Sequence, residues 1–166
     1  LNTDMPNGTP LFEYYLPFSD QVFEIGLTPN RSDATSHIGT ARDIHAMILK
    51  PVNFPSVDDF KVDNHDLPVE VIVENTNACP RYSGITISDL NIKESPRWLQ
   101  NRLKAVGLNP INNLVDISNF VLLETGQPLH FFDADKIKNR KVLIQKLKEG
   151  TTFTSLDEEE IKLSSE

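Results

Sequence analysis

The sequence predicts a mixed α/β protein of the α+β type, with mainly antiparallel strands and a few packed helices. Short runs of alternating apolar and polar residues are typical of half-buried strands, whereas three longer segments repeat apolar residues at helical spacing. The last three predicted strands follow one another closely, which favours a small antiparallel meander at the end of the chain.

The first third of the chain is predicted to hold a lead-in, a strand and a helix. Residues 1–20 are punctuated by proline and glycine, and we expect them to lead in from a preceding module, leaving 21–166 as the main domain. Residues 21–27 alternate and predict a strand. A helix should begin near Ser32, with His45 at the edge of its apolar face. That face comprises Ile38, Ala41, Ile44 and Ile48.

The rest of the chain alternates between predicted strands and one well-marked helix. Residues 50–68 are polar and proline-containing, and are expected to form a surface connector. Ser95 and Pro96 predict a helix start, with the serine hydroxyl as the cap, and Gly107 predicts the end of that helix. Strands are predicted at residues 69–73, 83–90, 142–147, 151–156 and 160–163.

Residues 113–132 contain a second well-marked helix with one carboxylate in an unfavourable position. Its apolar stripe comprises Leu114, Ile117 and Val121, and Asp116 and Asn119 fall off it. Gly126 and Pro128 end the helix. Glu124 continues the apolar stripe into the last turn, where the helix dipole is already negative. Glu124 is therefore either a solvated helix end or a polar recognition group inside a pocket.

Composition excludes several classes of function. The formal net charge of −8 over 166 residues argues against a surface that grips long nucleic acid, so any such contact must be local. Cys79 is the only cysteine, which excludes an internal disulfide and a cysteine-rich zinc site. No run of residues is long enough to span a membrane, and there is no signal core. We therefore expect a cytoplasmic protein, cut from a longer chain, that uses no metal.

The remaining candidates for chemistry each have a structural alternative. Asn30 and Arg31 precede a helix N-terminus, which favours anions, but Arg31 could simply pair with Asp33. His130 follows a turn and could equally bond the backbone. Cys79 could be a nucleophile, although a lone cysteine is more often an apolar filler.

Three ordered blocks of sequence are similar to one known family. They are LTPNRSDATSHIGTARDIHA at residues 27–46, CPRYSG at 79–84 and SPRWLQNRLKAVGLNPINNLVDISNFVLLETGQPLHFFD at 95–133. Together they resemble the central editing module, the B-three/B-four domain, of the bacterial phenylalanyl-tRNA synthetase beta subunit. This module is an α/β unit of two interleaved subdomains, and the resemblance covers nearly the whole chain from Leu11 onward.

The resemblance implies hydrolysis of tyrosyl-tRNA that the synthetic site has wrongly formed on the phenylalanine tRNA. It implies that Glu124 reads the phenol hydroxyl, that His45 and Asn30 hold the amino acid or a water, and that Arg31 meets the terminal adenosine or its phosphate. Three residues would shape the pocket wall: Thr125, Gln127 and His130.

The resemblance also implies partners that lie outside this chain. They are the acceptor end of the phenylalanine tRNA and an alpha subunit, in an assembly of two alpha and two beta subunits. ATP and magnesium would serve the whole synthetase, and no cofactor is expected in this fragment. The alternative is a noncatalytic tRNA-binding or scaffold module of the same synthetase.

Overall fold

The protein is built from two compact units, each made of two separate stretches of chain. The computed structural model describes residues 6–11, 18–155 and 158–164. The first unit combines Leu1–Val57 with Asn91–Phe131, and the second combines Asp58–Leu90 with Phe132–Glu166. The described helices longer than one turn lie in the first unit and the strands in the second, so the α+β class with two interleaved parts is confirmed.

Three α-helices among the described residues organise the first unit. They are α1 (His37–Ile48), α2 (Arg97–Ala105) and α3 (Asn113–Thr125), and a 3-10 helix, Ser32–Ala34, precedes α1. α3 contacts both α1 and α2. Leu99 and Leu103 of α2 are the most deeply buried large apolar side chains, at 2% and 1% exposure. The Trp98 and Phe120 rings meet edge to face, with their centroids 5.6 Å apart.

Glycines end two of these helices as the sequence predicts. Gly107 has φ +82°, and the N–H groups of Gly107 and Leu108 donate to the carbonyls of Lys104 and Leu103, which is the Schellman arrangement. Gly126 has φ +78°, and its N–H donates to the Leu122 carbonyl at 2.8 Å. Both positions need a left-handed backbone, which glycine adopts without a steric cost.

α1 begins at His37 and not near Ser32 as predicted, because Ser36 provides the cap. The chain forms only one 3-10 turn at Ser32, and α1 begins at His37 after Ser36. Ser36 is extended, and its hydroxyl accepts the Gly39 N–H at 3.0 Å. The predicted apolar face is half-buried at Ile38 but 52% exposed at Ile48.

The buried polar centre of the first unit is Asp116, which falls off the apolar stripe that the sequence predicts for α3. Asp116 is 1% exposed, and its carboxylate accepts the Ser95 hydroxyl at 2.5 Å and the Ile111 N–H at 2.8 Å. The prediction that Ser95 caps α2 is therefore wrong, because its hydroxyl donates to Asp116 and makes no cap hydrogen bond. A buried carboxylate is tolerated only when it is hydrogen-bonded in this way. Asp116 thereby ties the start of α2 to the start of α3.

Two strand pairs form the sheets of the second unit. β1 (Glu70–Val73) pairs in parallel with β2 (Lys141–Ile144), starting at the register Glu70 to Lys141. β3 (Thr152–Thr154) pairs with β4 (Glu160–Lys162) as an antiparallel hairpin. Glu70 and Lys141 also form an ion pair at 3.0 Å. Short 3-10 helices precede β2 at Ala134–Lys136 and Lys138–Arg140.

Three strand predictions are corrected by these pairings. β2 joins β1 and does not extend the final hairpin, so a three-stranded meander is wrong for the described residues. Residues 21–27 and 83–90, both within the described chain, are not strands. Alternation of apolar residues marks two faces but does not supply a neighbouring strand for the backbone hydrogen bonds. Leu156, the end of one predicted strand, lies outside the described residues.

We expect Asp116→Ala to destabilise the protein strongly. The substitution leaves the Ser95 hydroxyl and the Ile111 N–H without their acceptor, at about 1–3 kcal/mol for each group that stays buried. Urea unfolding measures the loss, and Glu24→Ala, at an exposed carboxylate of the same unit, is the control. An unfolding free energy within about 0.5 kcal/mol of the wild type would contradict this role for Asp116.

Gly39→Ala should also destabilise the protein, against the usual preference of helices for alanine. A Cβ at this position would overlap the Asp33 carbonyl oxygen and lie 2.7 Å from the Ala34 Cα, and both are backbone atoms that cannot rotate away. We expect overpacking of about 1–3 kcal/mol to exceed the helix-propensity gain. Gly26→Ala is the matched control because nothing lies within 4 Å of its Cβ. Equal thermal stability of the two variants would refute the close contact.

Candidate functional site

All seven predicted site residues lie in the first unit, and they divide into a group at the end of α3 and a group around α1. Glu124, Thr125, Gln127 and His130 belong to the first group, and Asn30, Arg31 and His45 to the second.

Glu124 is half-buried in the last turn of α3. Among the residues that the structure describes, its carboxylate has no hydrogen-bond or ion-pair partner. The free carbonyls of a helix C-terminus carry partial negative charge, so the backbone here offers a carboxylate no compensation. A carboxylate in this position can accept a hydroxyl or N–H donor from a ligand.

The residues that follow Glu124 form a turn fixed by its own hydrogen bonds. The Thr125 hydroxyl donates to the Val121 carbonyl at 2.8 Å and accepts the Gln127 N–H at 3.1 Å. The side chains of Gln127 and His130 are exposed. Thr125 therefore shapes the turn, while Gln127 and His130 are accessible to a ligand.

Arg31 is held by two carboxylates of its own unit. Its guanidinium contacts Asp33 at 3.0 Å and Asp43 at 2.6 Å, and the hydrogen bonding that it donates to Asp33 is the largest cause of a raised Arg31 pKa. The same bond lowers the pKa of Asp33. The salt bridge with Asp33 that the sequence offered as an alternative thus exists, and Asp43 adds a second one. A phosphate at Arg31 has to compete with both carboxylates.

Asn30 and His45 also make bonds inside the chain. The Asn30 side-chain oxygen accepts the Thr28 hydroxyl at 2.7 Å, and Asn30 caps neither α1 nor the 3-10 helix. The His45 Nδ1 lies 2.6 Å from the Lys50 carbonyl, just beyond the end of α1, and the ring is exposed. His45 thereby stabilises the C-terminal end of its own helix.

A different histidine of α1 contacts the segment that carries Glu124. His37, the first residue of α1, places its Nδ1 2.9 Å from the Leu123 carbonyl of α3, 86 residues away. His45 lies eight residues further along α1, about 12 Å at the rise of an α-helix. No local pattern in the sequence indicated the distant partner of His37.

The remaining candidates do not assemble a reactive centre. Cys79 borders a cavity of about 200 Å³ in the second unit, where Asn75, Ile144 and Lys146 are among its neighbours. No histidine is among the described residues that line it, so the thiol lacks the base that nucleophilic catalysis needs. Within the described residues, no three histidine, cysteine or acidic side chains are grouped to hold a metal.

No described helix has the length and hydropathy to cross a membrane.

Comparison with known proteins identifies the family. A family model described as the B3/4 domain matches residues 78–166. The phenylalanine-tRNA ligase beta subunit of Bacteroides thetaiotaomicron is 52% identical over 95% of this chain and 20% of its own length. The subunits of Porphyromonas gingivalis and Geobacter sulfurreducens are 48% and 44% identical over 100% and 99% of this chain and 21% of their own.

The chain thus spans about a fifth of the length of the curated relatives that it matches. The similarity runs through both units, and the family model covers more than half of the residues. The chain belongs to the B3/4 domain family.

Proposed function

We propose that this chain is the editing domain of a phenylalanine-tRNA ligase beta subunit and hydrolyses tyrosyl-tRNA formed in error on the phenylalanine tRNA. The observation that carries the proposal is the half-buried residue Glu124, whose carboxylate has no hydrogen-bond or ion-pair partner among the described residues. The names of the relatives supply the substrate class, since all of them are phenylalanine-tRNA ligase beta subunits.

Glu124 would discriminate by accepting a hydrogen bond from the tyrosine hydroxyl. Phenylalanine has no hydroxyl, so the carboxylate would lose water without gaining a partner, and sites that read a hydroxyl in this way reach roughly 10⁴-fold selectivity. The synthetic site faces the opposite task, because an apolar pocket rejects an added hydroxyl only weakly. Editing at a separate polar site therefore corrects the error that synthesis cannot avoid.

Hydrolysis in this proposal depends on positioning more than on a strong base. The ester to a ribose hydroxyl is already activated, and a water held beside the neighbouring substrate hydroxyl can attack it. Asn30 and His45 are proposed to hold the amino acid or this water, and Arg31 to meet the terminal adenosine or its phosphate. The wall is assigned to Thr125, Gln127 and His130.

The partners in the proposal follow from the names of the relatives. The beta subunit would bind the acceptor end of the phenylalanine tRNA and assemble with an alpha subunit, two of each, in the cytoplasm. ATP and magnesium would serve aminoacylation in the whole ligase, and editing by this domain would need neither. The net charge of −8 supports a limited contact with tRNA, with most of the RNA affinity supplied elsewhere.

A noncatalytic tRNA-binding or scaffold module is the second candidate. It is favoured by the engagement of Arg31 with two aspartates and of His45 with the Lys50 carbonyl, because both side chains already have structural partners. The two candidates differ in the consequence of altering Glu124.

We expect Glu124→Gln in the complete ligase to slow deacylation of tyrosyl-tRNA by about 10- to 100-fold. This range corresponds to one hydrogen bond to a charged group, at about 1.5–3 kcal/mol. Deacylation of phenylalanyl-tRNA should not change, so the ratio of the two rates should fall. Glu24→Gln, at an exposed glutamate of the same unit, is the matched control. Unchanged rates with both substrates would favour the scaffold module.

A further inference from the structure

We propose that the C-terminal half of α1 is a docking surface, and that another domain of the same beta-subunit polypeptide covers it with an apolar face. This α1 apolar surface consists of Ile44, Met47, Ile48 and Leu49. The inference goes beyond the proposed function and rests on it only in placing the chain within a longer beta subunit. It needs no part of the editing mechanism.

The apolar stripe of α1 is covered only in the first half of the helix. The start of the helix lies against α3, and Ile38 and Ala41 are half-buried there. Further along, Ile44 and Ile48 are 50% and 52% exposed, and Met47 is 84% exposed. Successive residues of an α-helix are about 100° apart, so these three side chains share one face. A contiguous apolar face on a helix marks an interaction site.

Leu49 extends this face in a backbone conformation that disfavours leucine. It ends α1 at φ +56° and ψ +20°, in the left-handed region that glycine adopts without a steric cost. The other described non-glycine residues with positive φ are all polar: Asp89, Asn139, Arg140 and Glu158. The Leu49 side chain is 79% exposed, so contacts among the described residues offset little of the cost. A covering domain would supply the missing apolar contact.

Hydrogen bonds fix the end of α1 that carries this surface. The Leu49 N–H donates to the His45 carbonyl at 2.8 Å, and the His45 ring bonds the Lys50 carbonyl at 2.6 Å. The nearby Phe54 ring, by contrast, has a partner within the chain, since the Arg42 guanidinium lies 5.7 Å from its centroid. The α1 apolar surface is thus presented by a fixed backbone, as recognition requires.

The size of the surface favours an occupant on the same polypeptide. Four side chains are far fewer than the roughly 20–30 residues per partner of a stable interface between separate proteins, so a second copy of the chain would bind here only weakly. A domain joined by a linker meets the surface at a high effective concentration and needs less buried area. The chain spans about a fifth of the length of its relatives, so the rest of such a polypeptide can supply the domain.

The chemistry of the surface argues against RNA as the occupant. Its four side chains carry neither a positive charge nor an aromatic ring, which are the groups that bind phosphates and stack on bases. Burial of aliphatic side chains against an apolar face is favourable because it removes apolar area from water. The covering domain should therefore present aliphatic or aromatic side chains.

The first test measures whether Met47 is covered in the complete ligase. Met47→Cys is treated with a maleimide, and modification at residue 47 is followed by mass spectrometry. We expect labelling at least about 10-fold slower in the native ligase than in urea. Ala46→Cys is the matched control, at an exposed residue on the other side of the helix from Ile44 and Ile48. Equally fast labelling of residue 47 in the native and unfolded ligase would overturn the inference.

Leu49→Gly tests the same surface by the sign of its effect. On an uncovered helix end, glycine relieves the left-handed conformation and should stabilise the protein. Beneath a covering domain, the loss of a buried leucine side chain outweighs that relief. We therefore expect the Tm of the complete ligase to fall by about 2–4 °C. A Tm that rises or stays the same would contradict the proposal.

Met47→Asp identifies the occupant, with hydrogen exchange measured over the complete ligase. Exchange should rise in α1 and in one segment of the same polypeptide outside residues 1–166, whereas Ala46→Asp should leave both near the wild type. A rise confined to residues 1–166 or to the alpha subunit, or no rise at all, would overturn the choice of occupant. If Met47→Asp does not fold, the labelling and Leu49→Gly experiments still decide whether the surface is covered. A normal Glu124→Gln enzyme would refute the editing role without bearing on this surface.

Discussion

The buried carboxylate of Asp116 is the interaction on which the first unit depends. It accepts hydrogen bonds from Ser95 and Ile111, which lie at the start of α2 and in the connection that leads into α3. A buried charge without such donors is costly, so only an arrangement that brings these segments together is stable. Leu99 and Leu103 are the deeply buried apolar side chains of α2, but apolar burial alone does not specify the register of the two helices.

A stable α2–α3 pair matters because α3 carries the candidate site at its other end. Asn112 caps the helix by accepting the Leu114 and Val115 N–H groups at 3.0 and 3.1 Å, and Asp116 fixes its first turn. The helix is 13 residues long and ends at Gly126. Because both ends are fixed, Glu124 is carried on a rigid element rather than on a loop, as a recognition group requires.

The sequence predicts those features of the fold that depend on local conformation. Gly107 and Gly126 end helices at positive φ, which glycine adopts without a steric cost and which needs no knowledge of neighbours, whereas α1 ends at Leu49 with φ +56° and no glycine predicts it. By contrast, the burial of Asp116 and the contact of His37 with Leu123 depend on segments 5 to 86 residues away. Hydrophobic periodicity placed Asp116 on the solvent side because it registers apolar residues and ignores a polar group satisfied by distant donors.

The candidate site also combines a feature that local sequence predicts with one that depends on a distant segment. Glu124 is half-buried, as its spacing to Val121 predicts, but Ile117 of the same predicted stripe is 43% exposed. Periodicity placed His45 at the edge of the apolar face of α1, yet His45 bonds the end of its own helix and His37 contacts the end of α3. Hydrophobic periodicity predicts on which side of a helix a residue lies. The residues of one site must also lie near the same end of the helix.

The two acidic residues of α3 show how one helix serves both stability and recognition. Asp116 lies in the first turn, where the helix dipole favours negative charge, and it is buried and fully engaged. Glu124 lies in the last turn, where the dipole opposes negative charge, and it has no partner among the described residues. Because the protein already satisfies Asp116, only Glu124 gains from a donor brought by a ligand. In the proposed function, a hydrogen bond from the substrate would offset this unfavourable position.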